Sequence, residues 1–421
     1  KNEYIETGWW IIKNLWDKKL LYQGFRVTPH CPRCGTSLSS HEVALGYRDD
    51  ADDPSVFIKF KVDLSKQGGS DKAREAIYSD VPTYFLVWTT TPWTLPGNTA
   101  LAVAPDADYA IVEYRNEQDQ TERVILSEAL LPSVIKQEYS VVTTIKGSDL
   151  IGFRYEPLFD PQQHNVSFTR LFADYYGQAQ DSHDDNFDVR VIAGDFVSLT
   201  DGSGIVHIAP AFGEMDYAVG QTEGLFFVQP VDLQGKMTGN YPFAGKFVKV
   251  ADKDIIGLLK TRNLLFRSER IKHTYPFCWR CSSPLLYYAK PSWYIRTSAK
   301  KQELIDGNQK INWYPEHIKE GRFGDWLRNN VDWALSRERY WGTPLPVWRC
   351  QGCGHEECLG SVDDIRRMAH TEAMAKAGYS LEECLKDLHR PFIDNVILKC
   401  PESPPGGSHY PDTMRRVPEV L

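Results

Sequence analysis

A chain of 421 residues exceeds what one hydrophobic core usually organises, which points to two or three domains, and its 42% apolar and 12% aromatic content excludes disordered and fibrous classes. No apolar run approaches the roughly 18 residues of a membrane span and the start lacks a secretory pattern, so we expect a cytoplasmic protein with no membrane partner. With 48 Lys plus Arg against 56 Asp plus Glu, the net charge of -8 has the wrong sign for wholesale phosphate binding, so any nucleic-acid contact must be local.

The chain opens at Lys1 inside a helical pattern, with Ile5, Trp9, Ile12, Trp16 and Leu20 on one face, and stops at Pro418-Glu-Val-Leu421, so both ends look cut. Cys31-Pro-Arg-Cys34 follows as a metal-binding knuckle. Short strands and turns then take over: Tyr84–Trp88, Ala100–Val103, Tyr109–Val112, Val124–Leu126, Val189–Ile192 and Ile205–Ile208 read as strands. Helices are expected at Ser70–Tyr78, Ser127–Lys136 and Met215–Glu223. A second knuckle, Cys278-Trp-Arg-Cys281, closes this stretch. Helical spacing returns over 297–337, placing Trp326 and Trp333 on apolar faces, and the last segment holds a third knuckle, Cys350-Gln-Gly-Cys353, with a helical excursion around 362–388. These features divide the chain into 1–44, 45–267, 268–344 and 345–421. The expected class is α+β: a barrel-like mixed sheet with peripheral helices inserted in a zinc ribbon, plus a smaller ribbon-like region.

Cysteine spacing carries the metal argument. Two knuckles supply the four thiolates of a tetrahedral zinc site, Cys31, Cys34, Cys278 and Cys281, although residues 35–277 between them far exceed an ordinary ribbon loop. A whole domain inserted into a ribbon reconciles the two facts, and the cytoplasmic setting disfavours disulfides. The other set is incomplete: Cys350 and Cys353 face Cys400-Pro-Glu-Ser403, where Ser stands in place of a second Cys, leaving Cys358 or His409 to supply a fourth ligand. Cys384 reads as merely buried. The basic, aromatic stretch of Arg262, Arg267, Arg270, Lys272, Trp279, Arg280, Lys290, Trp293 and Arg296 is either a solvated face or a local RNA contact.

Two stretches carry candidate chemistry. In Trp88-Thr-Thr-Thr-Pro-Trp-Thr-Leu-Pro-Gly-Asn-Thr99, strand residues run into a proline-bounded turn bearing successive hydroxyls, a common place for a site but equally a β-branched strand end. In Asp201-Gly-Ser-Gly-Ile-Val-His-Ile-Ala-Pro-Ala-Phe-Gly-Glu-Met-Asp216, glycines allow close backbone approach, a strand presents His207, and Asp216 falls in the first turn of a helix. Taken singly, the histidine could be a satisfied core residue and the acid a helix-dipole partner.

Taken together, Thr89-Thr-Thr-Pro-Trp-Thr94 with Leu95-Pro-Gly-Asn98, and Gly202-x-Gly-Ile-Val-His207-x-Ala-Pro-x-Phe-Gly213-x-x-Asp216, resemble the two motifs of the editing insertion of isoleucyl-tRNA synthetases. The leucine and valine enzymes typically carry Arg in place of Thr91 and an acid in place of Trp93. The resemblance extends to Pro29–Val43, Lys290–Arg296 and Trp333–Pro346, which look like the entrance to the insertion and the return toward the synthetic core. The His-Ile-Gly-His and Lys-Met-Ser-Lys-Ser elements that bind ATP in this family are absent from the sequence.

The resemblance implies a hydrolase acting on the 3′ end of tRNA(Ile) mischarged with valine, in a monomer, without aminoacylation. It implies catalytic positions at Thr89, Thr90, Thr91, Asn98, His207 and Asp216 and substrate contact at Trp93, Gly202, Gly204, Ala209 and Gly213. Asp216 would hold the substrate ammonium, the threonine hydroxyls would orient water and ester, His207 would bond near the side chain or terminal ribose, and Asn98 would support the turn. The need for such a site is physical: one missing methylene is worth only about 1–3 kcal/mol of discrimination in an apolar pocket. Two other readings fit the same residues, a zinc-ribbon tRNA-binding module without catalysis and the editing domain of a valyl or leucyl enzyme.

Overall fold

The computed structural model describes residues 1–171, 186–337, 342–402 and 411–421. They fall into two compact units, Phe25–Lys290 and the pair Lys1–Gly24 with Pro291–Leu421. No helix among the described residues is long and apolar enough to cross a membrane.

In the unit Phe25–Lys290 the main sheet has six strands in the order Leu265–Pro276, Tyr47–Lys61, Thr83–Thr89, Thr121–Ser127, Asp108–Arg115 and Tyr139–Lys146. All neighbours are antiparallel except Thr83–Thr89 with Thr121–Ser127, which is parallel. The barrel-like closure expected from the sequence is absent: the sheet ends on Leu265–Pro276 and Tyr139–Lys146, which do not pair with each other, so it stays open. One face carries Val56, Ile58, Phe60, Phe85, Val87 and Ile125 into the large core, and the alternate residues Phe57, Leu86, Val112 and Val124 enter a second cluster, as the period of two requires. A three-stranded sheet places Ala100–Val103 between Arg190–Ala193, parallel, and Ile205–Ile208, antiparallel, with His207 opposite Leu101.

The expected helix at Ser70–Tyr78 forms as Asp71–Ile77, and the Ser70 hydroxyl accepts the Ala73 N–H at its start. The helix expected over Ser127–Lys136 does not form as one piece. It is a 3₁₀ turn Glu128–Leu130 followed by a short helix Leu131–Val134 with Pro132 in its first turn, because proline starts a helical turn but donates nothing to the preceding one. The helix Val248–Thr261 buries Val248, Ala251, Ile255 and Leu259, and on the same stripe it buries Asp252. The Asp252 carboxylate accepts the Trp93 N–H at 2.8 Å, tying this helix to the turn Pro92–Gly97.

In the other unit, the helix Asn2–Asp17 buries Ile5, Trp9 and Ile12. Trp9 meets Trp348 edge-on at 6.4 Å and its indole N–H donates to the Pro344 carbonyl. A four-stranded sheet runs Glu356–Cys358, Val347–Cys350, Thr413–Arg416, Ile397–Lys399, and the helical excursion is three short helices, Val362–Met368, Thr371–Lys376 and Leu381–Cys384, the last burying Cys384. Trp326 and Trp333 are not on buried apolar faces: they are 62% and 56% exposed, because Leu327 and Gly324 take the inward positions of the helix Arg322–Arg328 and Trp333 lies on a two-residue strand.

A buried ion pair and a buried acid in the larger unit have measurable consequences. Lys59 and Glu122 pair at 2.6 Å, both nearly inaccessible, and Glu122 also accepts from Tyr114, Asn116 and Asn263. Glu122→Ala leaves the Lys59 ammonium buried without its counter-ion and should cost about 3–5 kcal/mol in urea unfolding, while Lys59→Met combined with Glu122→Leu should recover most of that loss. Burial pushes the Asp252 carboxyl up to about 7, against the opposing pull of Lys249 and the Trp93 N–H. The folded chain therefore holds this proton more tightly than the unfolded chain, where Asp titrates near pH ~3.9, and stability falls as pH rises from about 4 to about 7. Asp252→Asn keeps an acceptor for Trp93 and removes the charge. The variant should melt several degrees above the unsubstituted chain at pH 8 and with little difference at pH 4.5; an equal gap at both values would show that Asp252 is ionised throughout.

Candidate active site

The two stretches singled out in the sequence meet. The strand Thr83–Thr89 loses its antiparallel partner after Thr89, whose neighbour across the sheet is Val56. Pro92 then opens the 3₁₀ turn Pro92–Gly97, with its fixed φ and absent N–H suited to a first helical position. The Thr89 hydroxyl accepts the Thr91 N–H at 3.1 Å and lies 3.3 Å from the Thr91 hydroxyl, which lies 3.3 Å from that of Thr94. Thr94 Oγ1 is 2.8 Å from Nε2 of His207, so the turn is hydrogen-bonded directly to the strand Ile205–Ile208. On its other edge His207 Nδ1 lies 3.4 Å from Asn98 Nδ2. Thr90 is half-buried, and its hydroxyl makes no hydrogen bond among the described residues.

His207 is 9% exposed, and burial pulls its pKa down to about 4, so the ring is neutral at physiological pH. Asp216 is in the first turn of the helix Glu214–Glu223, and its Oδ2 accepts the Ala209 N–H at 2.8 Å, two residues beyond His207. Burial of its carboxyl pushes it up to about 6, against the opposing bonds from the Ala209 N–H and from its own N–H. Gly213 has a packing reason: a Cβ there would stand 2.6 Å from the Asp216 carboxyl carbon and displace it.

The remaining expected residues serve the local packing. Trp93 is 3% exposed and meets Phe212 edge-on at 4.9 Å, joining the two stretches through their apolar sides. Gly202 and Gly204 adopt φ of +73° and +74°, and a Cβ on them would meet Trp88 at 2.7 Å and Ser127 at 2.4 Å. Their close approach is thus to the protein's own chain. Ala209 is buried and acts through its N–H.

Three participants were not expected. Thr94 stands in the motif and carries the bond to His207. Tyr155 is fully buried and its hydroxyl reaches Asn98 Oδ1 at 2.7 Å; nothing in the surrounding Phe153-Arg-Tyr155 marks it. Asp252 was detectable as an acid on an apolar helical stripe, and beside it opens a cavity of about 590 Å³ lined also by Lys249, Lys253, Arg270 and Tyr275.

The cysteines converge as their spacing requires. The sulfurs of Cys31, Cys34, Cys278 and Cys281 all lie within 4.8 Å of one another, as do those of Cys350, Cys353 and Cys400, so each group could hold a metal ion. In all three knuckles the residue after the second cysteine is left-handed, Gly35 at φ +68°, Ser282 at +59° and Gly354 at +75°, and donates its N–H to the carbonyl of the first cysteine. Cys358 does not join the second group: it is buried among Ile12, Trp293 and Val347. His409 and Ser403 lie outside the described residues. The basic stretch is not one face, because Trp293 is fully buried, Arg270 is paired with Asp52, and Arg267 donates to the Val134 carbonyl above the Phe57 ring.

The family described as tRNA synthetases class I (I, L, M and V) matches residues 1–394. The isoleucine–tRNA ligase of Dehalococcoides mccartyi (strain CBDB1) is 52% identical over 425 residues, covering 100% of this chain and 39% of its own length. That of Clostridium novyi is 42% identical over 421 residues, covering 100% of this chain and 35% of its own. The chain thus spans roughly two fifths of the length of these relatives. Among solved structures, GlLeuRS-CP1 is 19% identical, with a TM-score of 0.38 over 51% of this chain and 96% of that one. The Plasmodium knowlesi cytosolic leucyl-tRNA synthetase editing domain is 11% identical, with a TM-score of 0.35 over 52% of this chain and 96% of that one. Matched by the family over residues 1–394 and by an isoleucine–tRNA ligase across its whole length, the chain belongs to the class I tRNA synthetases.

Proposed function

We propose that this chain carries the editing activity of an isoleucyl-tRNA synthetase, hydrolysing the ester of valine mischarged onto tRNA(Ile), and that it does not itself aminoacylate. The observation that carries the reading is the hydrogen-bonded union of the threonine turn with His207, beside an Asp216 carboxylate held by the Ala209 N–H. Similarity to isoleucine–tRNA ligases, whose named relatives are matched along this whole chain, supports it.

In this reading Asp216 pairs with the substrate ammonium and so positions the ester. Water adds to the ester carbonyl, the carbon–oxygen bond to the terminal ribose breaks, and the departing oxygen is released as the ribose hydroxyl with a proton that came from the water. The aminoacyl ester is already activated, so positioning of water and carbonyl suffices and no strong base is required. That suits a His207 that is neutral and engaged on both ring nitrogens. The Thr89, Thr90 and Thr91 side chains line the approach and exclude the larger isoleucine by shape.

The Cys31, Cys34, Cys278 and Cys281 set would bind zinc structurally. Tetrahedral thiolate coordination at Zn–S of about 2.3 Å sets sulfurs about 3.8 Å apart, and these four lie within 4.8 Å with Cys31 and Cys281 at 3.4 Å. The second set supplies three thiolates among the described residues and would hold zinc more weakly.

Deacylation of Val-tRNA(Ile) against Ile-tRNA(Ile) tests the function. Hydrolysis of the valyl ester is expected, with the isoleucyl ester spared, whereas tRNA binding without turnover of either would leave a binding module. Asp216→Ala should lower kcat/KM on the order of 10²-fold by removing the ammonium's partner. Protonation of Asp216 removes the same attraction, so kcat/KM should decline as pH drops through about 6 and the decline should vanish in Asp216→Asn. For the metal, Cys278→Ser with Cys281→Ser should remove one equivalent of tightly held zinc per chain in a colorimetric release assay; an unchanged count rules out that site.

A further inference from the structure

The hydrogen bonds around Asn98 leave little freedom in where the protons of this site reside. The Asn98 amide faces the Ala100 carbonyl at 2.9 Å and the Ile208 carbonyl at 3.5 Å on its nitrogen side, both pure acceptors, so Nδ2 belongs there. Its other side, Oδ1, receives the Tyr155 hydroxyl at 2.7 Å. Of the two Nδ2 protons one goes to the Ala100 carbonyl, and since the Ile208 carbonyl already accepts the Thr99 N–H at 2.9 Å, the other goes to His207 Nδ1 at 3.4 Å, so that ring nitrogen is the bare acceptor and the neutral ring carries its proton on Nε2. Nε2–H then donates to Thr94 Oγ1 at 2.8 Å.

From there each step forces the next. Thr94 spends its one hydroxyl proton on the Thr91 carbonyl at 2.8 Å, so the 3.3 Å contact between Thr91 and Thr94 is filled by the Thr91 proton. Thr91 has then no proton left for Thr89, and their 3.3 Å contact takes the Thr89 proton. Thr89 in turn accepts the Thr91 N–H. The hydroxyl protons of Thr89, Thr91 and Thr94 are all committed to neighbours within the turn.

We propose that Tyr155 is a positioning residue that, through the Asn98 amide, fixes His207 as the Nε2–H tautomer and so leaves Thr89 and Thr91 to meet the substrate as hydrogen-bond acceptors. This rests on the hydrolytic reading above and sharpens it. Thr89 and Thr91 accept from the attacking water or the substrate ammonium and do not donate to the developing oxyanion, a role left to the Thr90 hydroxyl and backbone N–H groups. His207 is a link in the scaffold and takes no proton from water, since its single bare nitrogen faces the Asn98 amide.

The test combines tautomer and rate on the same chain, labelled with ¹⁵N-histidine. Two-bond ¹⁵N–¹H correlations should show His207 in a single Nε2–H form without any tRNA present, so this readout stands even where the chain fails to deacylate Val-tRNA(Ile) and the functional reading falls. Tyr155→Phe removes the donor to Asn98 Oδ1 and should mix the tautomers and lower kcat about tenfold with KM held, the size of one lost hydrogen bond. Asn98→Asp, close in shape, sets a carboxylate oxygen against His207 Nδ1 and should move the proton to Nδ1, a result readable even if the tyrosine variant fails to fold. A wild-type ring in the Nδ1–H form or as a mixture overturns the proposal, as does a Tyr155→Phe chain that keeps both one Nε2–H form and full kcat.

Discussion

One hydrogen bond holds the site together: His207 Nε2 to Thr94 Oγ1, 2.8 Å long, buried, between residues 113 apart in the chain. Nothing local to either stretch makes it. It depends on the strand Ile205–Ile208 pairing with Ala100–Val103 in one register, with His207 opposite Leu101, and on the turn Pro92–Gly97 ending where Asn98 can face the same ring. A slip of one residue in that pairing would turn His207 to the other face of the strand and undo the contact entirely. The apolar contact of Trp93 with Phe212 guards the register from the other side, so the polar bond and the packing are satisfied by the same alignment.

Burial costs are distributed around that bond with opposite signs and for separate ends. Desolvation keeps His207 neutral, which makes it a donor and an acceptor at once and lets it sit between Asn98 and Thr94. The same effect raises Asp216 to about 6 and Asp252 to about 7, but the two acids differ in what faces them. Asp252 is 5% exposed and holds Trp93 from behind the turn, so for it a proton is a relief. Asp216 takes backbone N–H bonds from Ala209 and from its own residue, which oppose the desolvation and leave it ionised at neutral pH.

How much of this the sequence disclosed depends on how local each cause is. The helix capped by Ser70 and the three cysteine knuckles are set by neighbours in the chain, and their residues could be named in advance. The strand Tyr47–Lys61 was hidden because Asp49, Asp50, Asp52 and Asp53 make its first half look like a loop. Those acids are tolerable in a strand because Thr274 bonds Asp49, Arg270 bonds Asp52, and His273 with Lys249 bonds Asp53, all supplied from beyond residue 248. The threonine and histidine motifs were legible as patterns, but Tyr155 was not, since it acts on a motif from a segment that carries no motif of its own; Asp252 left only the signal of an acid on an apolar helical stripe. The reason for Gly202 and Gly204 was also invisible: the rings and side chains they make room for, Trp88 and Ser127, belong to other strands.

The position of the cysteines explains why so much chain can be spent between two knuckles. Residues 35–277 form a loop whose ends are Cys34 and Cys278, and within it lie the open sheet, the threonine turn and the His207 strand. A metal joining those ends would remove closure entropy from the unfolded chain, about 5 kcal/mol for a loop of this size on the chain-entropy account, and more than for a shorter ribbon loop. Such a clamp would stabilise the contents from the stem: the Cys31 and Cys281 sulfurs face each other, the Cys34 N–H donates to Cys31, and Cys281 meets the Ser283 hydroxyl. The Cys350, Cys353 and Cys400 group lies in the other compact unit, where it closes a four-stranded sheet of its own. Among the described residues, the hydrogen bonds that join the threonine turn to His207, Asn98 to Tyr155, and Asp216 to Ala209 are all made inside Phe25–Lys290.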